Sequence, residues 1–537
     1  TQNGTKPTNI SDTNGNPIDK SIKYAGTGYD STDNPNVKAY ISQPPSDLPV
    51  TSVHDTLTVG GYGEPETLFP YDSTTMPSNT ALLPIYDTLV RYNTFTEEYE
   101  GALAESWEYI DDETLRMHLR KDVVCHAGYD FTASDVLWSA KQGRDSLGNY
   151  LWKVFDIDNF EIIDDYTIDL KTYGAFGPIM SYLSDTCAGY IVDQQAYEAQ
   201  SPEDYARNPD GGHGPYKFVD WIAGDSVTYE VFEDYYAEKP YFKNLVIRNI
   251  SDDITRALSL ESGDLDMIYN VDYASAQTII DSPLANLITI PSFQLIHMGY
   301  DLEKEPFNNP LVRKALRHAI NIENIVNIAF HGMAVVGDGP WPNSLNSYKP
   351  NTNPDTAYEY DIEKAKALLK EAGYPDGFEF ELWVQDTTSW VQMAEMIQNA
   401  YKEVGITAHI TIMDTNTLWG KVEGGTHEAY LGRFSCSGND ASLWDFRFIT
   451  SEGWTDNPAQ YKNQRVDEIF AQAAKSIDED YRQGLYSEFV DIFREDLVWQ
   501  SLANPLMCYG IRSTLKGVAP HCYGTSDLRY IRPIDVD

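Results

Sequence analysis

The sequence predicts an α/β protein built as two lobes, and three observations predict it. The chain has 537 residues, more than one hydrophobic core supports and enough for two or three domains. Stretches of period two and stretches of helical period interleave from Leu57 onward, the pattern of mixed α/β layers. The chain is 42% hydrophobic with a mean hydropathy of -0.42, and no run approaches the roughly 18 apolar residues that span a bilayer.

The first 50 residues differ from the rest. TQNGTKPTNISDTNGNPIDK is rich in Thr, Asn, Gly, Asp and Pro, a composition that buries no core. Residues 1–50 are expected to form a polar linker or tether. From Leu57, TLTVGG reads as a short strand. TLRMHLR alternates Leu115, Met117 and Leu119 with polar residues, a half-buried strand. TIDLKTY, VTYEVFEDYY, LVIRNI and AHITIMD read the same way. Helices alternate with these strands. In TASDVLWSAKQ, Thr132 and Asp135 form a capping pair ahead of Val136, Leu137 and Ala140. In NPLVRKALRHAI, Pro310 sits in the first turn and Leu311, Val312, Ala315, Leu316 and Ala319 share a face. In DIEKAKALLKEAGYPDG, Asp361 caps, Ala365, Leu368, Leu369 and Ala372 face one way, and Gly373 with Pro375 ends the helix.

Composition narrows function. The chain carries 39 basic and 82 acidic residues, a formal charge of -43. Nucleic acid and anionic lipid need basic patches, so neither is an expected partner; such a charge keeps a surface solvated. The five cysteines, Cys125, Cys187, Cys436, Cys508 and Cys522, form no CxxC pair, so no zinc site is expected. The odd number leaves one thiol free and does not fix the redox compartment.

The motifs of catalysis are missing. There is no GxSxG elbow, no P-loop and no GxGxxG after a strand. HEAYL at 427–431 puts Leu431 where a zinc protease needs its second His. DTNGNPID at 12–19 lacks the glycine and distant Glu of a calcium loop. A pair of glycosidase carboxylates can be neither found nor excluded among so many acids. Tyr and Trp are abundant, 37 and 11 residues, and their flat faces with polar edges suit binding of peptides or sugars as well as packing.

Six segments then occur in a familiar order. They are GALAESWEYIDDETLRMHLRKDVVCHAGYDFTASDVLWS (101–139), HGPYKFVDWIAGDSVTYEVFEDYYAEKP (213–240), LSLESGDLDMI (258–268), EPFNNPLVRKALRHAINIENIV (305–326), DIEKAKALLKEAGYPDG (361–377) and YKNQRVDEIFAQAAKSIDEDYRQGLYSEFVDIFRED (461–496). Together they resemble the family 5 extracellular solute-binding proteins, the peptide, dipeptide and nickel receptors of ABC importers. Two departures are local. His213 replaces the first Gly of the family's "GTGPY", and residues 125–129 replace its "F-H-D-G-x" turn.

The resemblance implies a periplasmic-binding-protein-like clamp of class II. Lobe I would comprise 51–294 plus 500–537, with an extra subdomain at 87–197, and lobe II would comprise 295–499. It also implies a monomer that takes a small ligand between its lobes and delivers it to a membrane permease. No bond is made or broken, and no cofactor is expected. Location would be extracellular, tethered to the cell membrane by an N-terminal lipid.

In the peptide receptors a carboxylate after a "GW" pair holds the ligand's α-amino group. Here the matching segment is LGRFSCSGNDASLWDF. Aligned on Gly432, Arg433 takes the Trp position and Cys436 the carboxylate position, with Asn439 and Asp440 beyond. A thiol does not compensate a desolvated ammonium, so Asp440 or another acid must act if the anchor survives. The same alignment offers Thr74 and Met76, Tyr269 and Asn270, His297, Trp419 and Tyr430, the run Arg433, Ser435, Cys436 and Ser437, and Cys508 as ligand-binding candidates. For each, ordinary packing is the competing reading, and for His297 a satisfied core imidazole is the favoured one. Nickel receptors of the family use a chelate and a His, and only His297 is placed to serve, so no metal is expected. A peptide is the expected ligand. The lost anchor and the many aromatics make an oligosaccharide the alternative, and a secreted hydrolase is the remote one.

Overall fold

The computed structural model describes residues 38–40, 55–73, 75–93, 98–146, 149–186, 189–436, 438–447, 457–520 and 524–534. Most of the expected linker therefore lies outside the described residues, as do Thr74, Ser437, Cys187 and Cys522. Within the expected linker, Lys38–Tyr40 forms a strand antiparallel to Ala285–Pro291, with Lys38 opposite Thr289. A polar composition here does not prevent pairing, because backbone groups make the ladder.

The chain divides into two compact units. The first holds residues 1–290 and 507–537, and the second holds 291–506.

In the first unit, Thr56–Gly61 runs parallel to Asn244–Asn249 and to Met267–Ile268. Leu57 and Val59 are fully buried on alternating positions, as a strand of period two requires. Gly60 has no room for a side chain, since a Cβ would lie 2.7 Å from Leu265 Cδ1. The hairpin Tyr216–Ile222 and Ser226–Val231 extends this sheet beyond Asn244–Asn249. On the other side, Met267 and Ile268 pair antiparallel with Ile511 and Gly510. Helix Asp253–Ser262 is capped by Asp252, whose side chain accepts from Thr255 N, and ends on Gly263 at φ 83°.

A second sheet lies in the same unit. Its antiparallel order is Ala104–Asp111, Thr114–Leu119, Thr167–Lys171, Glu161–Asp164. Leu115, Met117 and Leu119 point into a core with Phe131, Val136, Ala140, Trp152, Ile168 and Leu170. Helix Ala133–Arg144 closes this core. Thr132 N donates to Asp135 Oδ2 at 2.8 Å, the capping pair that the sequence predicts.

The second unit is a mixed sheet under helices. Gln294–Tyr300 is antiparallel both to Ala429–Ser435 and to the first part of Trp499–Arg512. Ala429–Ser435 is parallel to Glu379–Gln385, which is parallel to Thr407–Met413. Helix Ile362–Glu371 packs on helix Pro310–His318. Asp361 accepts from Lys364 N at 2.9 Å, and Gly373 takes φ 95°. Ala365 and Leu369 are buried, and Leu368 and Ala372 are half-buried.

Helix Pro310–His318 buries more than its apolar face. Arg313, Arg317 and His318 are buried alongside Val312, Ala315 and Leu316, and Leu311 is half-buried. Arg313 donates to the carbonyls of Asp496, Leu497 and Phe307. The first two end helix Glu479–Asp496, where carbonyls lack helical partners and the dipole is negative. A cation belongs there, and sequence periodicity alone does not reveal it.

Candidate functional site

The segment expected to hold the ligand is a strand, Ala429–Ser435. Gly432 lies opposite His297 across the ladder. A Cβ on Gly432 would meet Tyr430 Cε2 at 2.6 Å and His297 Cε1 at 3.0 Å, so only glycine lets the two rings lie over the strand. His297 is fully buried. Its ring stacks on Phe434 at 4.1 Å and tilts on Trp499 at 5.3 Å, and its Nε2 lies 3.3 Å from the Tyr430 hydroxyl. His297 and Tyr430 therefore belong to an aromatic core. Trp419 is half-buried, with its ring 5.8 Å from Tyr430 and 5.9 Å from Phe434.

The opposite alternation of the strand behaves differently. Arg433 and Ser435 are exposed. Among the described residues the Arg433 side chain makes no hydrogen bond and no ion pair.

Beyond the strand, the two candidate anchors are committed elsewhere. Cys436 is 8% exposed; its Sγ donates to Gly438 O at 3.1 Å and accepts from Trp444 Nε1 at 2.8 Å. Asp440 is buried, and both its oxygens accept from Arg482 Nη2, at 2.6 and 2.7 Å. Oδ1 also accepts from Ser442 N at 2.9 Å. Burial works against the charge of Arg482, and Asp440 overrides it, so the guanidinium is held above its ordinary range. Breaking such a pair exposes an uncompensated buried charge. Asp440 therefore serves the fold of the second unit, and position 436 holds no acid.

In the first unit the candidates also sort by exposure. Asn270 is exposed and takes φ 49°, a left-handed conformation that Asn adopts more readily than most residues. Its carbonyl accepts from the buried Arg256 Nη2 at 3.1 Å, and Arg256 is also paired with Asp253. That arginine fixes the backbone and leaves the Asn270 amide outward. Tyr269 is buried against Tyr509, ring centroids 6.3 Å apart, and burial pushes its phenol up. Met76 opens helix Met76–Leu82 and is half-buried. A Cβ on Gly524 would lie 3.4 Å from Met76 Cε and 3.1 Å from Met507 Cε, so these residues gather. Cys508 is buried, its carbonyl accepts from Val271 N at 2.9 Å, and burial pushes its thiol up to about 12.

The sequence did not point to a cavity of about 90 Å³ in the first unit. Arg91 Nη2 there donates to Asp87 at 2.6 Å and to the hydroxyl of Tyr235 at 2.7 Å. Arg529 Nη1 donates to the same hydroxyl at 2.8 Å and the guanidinium pairs with Asp527. Residues from near 90, 235 and 528 meet here, and no local pattern joins them. The charges neutralise one another in pairs.

Cys125, like Cys508, is pushed up to about 12 by burial, so neither is a thiolate near neutral pH. Among the described residues no cluster of three His, Cys, Asp or Glu is arranged to hold a metal ion.

Residues 98–453 match the family model of bacterial extracellular solute-binding proteins, family 5 Middle. The glutathione-binding protein GsiB of Pectobacterium atrosepticum is 30% identical over 452 residues, 81% of this chain and 86% of that protein. The periplasmic binding protein DppA of Helicobacter pylori, solved in complex with the peptide STSA, superposes with a TM-score of 0.73 at 26% identity, over 89% of this chain and 98% of that one. HbpA2 of Haemophilus parasuis superposes with a TM-score of 0.80 at 24% identity, over 89% and 99%. The α/β fold is thus that of the periplasmic binding proteins. By sequence match and by fold, the chain belongs to the family 5 bacterial extracellular solute-binding proteins.

Proposed function

We propose that the protein is the extracellular receptor of an ABC importer, which captures a short peptide and passes it unaltered to a membrane permease. The observation that carries this reading is the likeness, over 89% of the chain, to a receptor solved with a tetrapeptide. In support, each unit presents a polar side chain that its own fold leaves open, the amide of Asn270 in one and the guanidinium of Arg433 in the other. An amide can both donate to and accept from a peptide group, and peptide receptors commonly draw affinity from main-chain hydrogen bonds. We assign 51–294 with 500–537 to one lobe and 295–499 to the other, with a subdomain at 87–197. A monomer, held at the cell surface by an N-terminal lipid, suits this task.

An oligosaccharide is the second reading, and one observation favours it: Cys436 and Asp440 are both engaged within the fold. Titration calorimetry against a tripeptide library and an oligosaccharide library separates the two. Micromolar or tighter binding of peptides, recovered intact by mass spectrometry, is the expected result. Binding of sugars alone would replace the ligand class, and cleavage of any bound ligand would replace the function.

A further inference from the structure

We infer that the second unit anchors its ligand by an anionic group, with Arg433 as the counter-charge. The inference rests on the receptor reading above and names the class of ligand within it: a short peptide or other small molecule whose carboxylate meets the guanidinium.

Two independent observations carry it. The first is that the two aligned anchor candidates of the segment, Asp440 and Cys436, are spent. Asp440 is closed on Arg482 by two short hydrogen bonds and a third to Ser442 N, and Cys436 offers a neutral sulfur already shared by Trp444 and Gly438. An ammonium placed against either of them would lose water and gain no free charge from Asp440 or Cys436, which costs several kcal/mol.

The second is that Arg433 is unspent. The chain holds 82 acidic residues against 39 basic ones, so a surface arginine has many carboxylates to choose from. Among the described residues the Arg433 guanidinium takes none of them. It is also positioned. Its backbone is fixed in the ladder opposite Ile296, which is 2% exposed. Its neighbours Gly432 and Phe434 are held by the stacked His297 ring. A guanidinium rooted in a rigid strand presents a planar fork that matches a carboxylate with two parallel hydrogen bonds. The strongly negative surface does not oppose this at close range, because charges beyond about 8 Å are screened in physiological salt.

The test uses the full chain and three probes by calorimetry: trialanine, its C-terminal amide and its N-acetyl derivative. Amidation is expected to weaken binding about tenfold or more, and acetylation less than about threefold. Arg433→Ala should bind acid and amide alike, and Arg433→Lys, which keeps the charge and loses the fork, should lie between. Acetylation that abolishes binding while amidation leaves it intact would overturn the inference and leave the peptide reading standing. If sugars bind and peptides do not, the peptide reading falls. A trisaccharide of uronic acid preferred over its neutral counterpart, with the preference lost in Arg433→Ala, would then sustain the anionic anchor, and equal binding would overturn it. Failure of every probe on the wild-type chain overturns both.

Discussion

Arg482 and Arg433 lie in the same unit of the protein and have opposite surroundings. Arg482 is 2% exposed and closed on Asp440. Arg433 is exposed, and among the described residues its side chain has no partner. The difference teaches that a charged residue near a candidate site has to be read with its partners before it is given a role. Asp440 stands close to where a ligand anchor is expected, and its geometry shows a carboxylate that holds helix Glu479–Asp496 to the segment after the strand. The residue left available is the cation.

The largest effect that can break this comparison is on stability. Asp440→Ala strands the Arg482 guanidinium in the interior and should cost about 3–5 kcal/mol, read as a lowered denaturant midpoint. The double variant Asp440→Ala with Arg482→Met should recover much of the loss, because it removes the stranded charge. No loss in Asp440→Ala would mean that the pair does not brace the fold.

A smaller effect concerns a buried group of the same unit that stays neutral. Burial pushes the His427 imidazole down to about 4, and its ring packs edge-on against Tyr430 at 5.1 Å. The unfolded chain takes up a proton near pH 6.5, and the folded chain waits until about pH 4. Stability is therefore full above about pH 6.5 and falls as the pH drops toward 4, by about 2 kcal/mol at pH 5. His427→Gln should flatten that part of the curve, measured by urea unfolding at pH 7.5 and 5.0; an unchanged slope would place the titrating group elsewhere.

Asp361→Ala removes a single cap and should cost about 1 kcal/mol, read from the same unfolding curves. Arg433→Ala should change stability least, within about 0.5 kcal/mol, since nothing in the fold leans on the side chain. A large destabilisation there would erase the contrast with Arg482.

How much of this was legible in the sequence follows from the range of each interaction. Helix Ile362–Glu371 obeys rules that act within four residues, so Asp361 and Gly373 appear in their expected roles. The strand Thr114–Leu119 is equally local, and its three apolar residues are all buried. The burial of Arg313 depends on the end of a helix more than 180 residues away, and the closure of Asp440 on Arg482 spans 42 residues. Neither leaves a trace in periodicity. The cavity beside Arg91 and Arg529 is assembled from five separate stretches, near 90, 187, 215, 235 and 525, and was invisible for the same reason. Lys38–Tyr40, inside a stretch that reads as linker, pairs through its backbone, which composition does not report. Alignment on Gly432 points to the strand Ala429–Ser435, and the two rings packed around that glycine explain why the position needs glycine. Which side chain on that strand stays open became clear only from the contacts of its neighbours.

A crystal structure of the full chain with a bound tripeptide tests the central claim most directly. The account predicts two guanidinium nitrogens of Arg433 within about 3 Å of a ligand carboxylate, with Asp440 still closed on Arg482. A ligand ammonium seated on Asp440, with Arg433 turned to solvent, would contradict it.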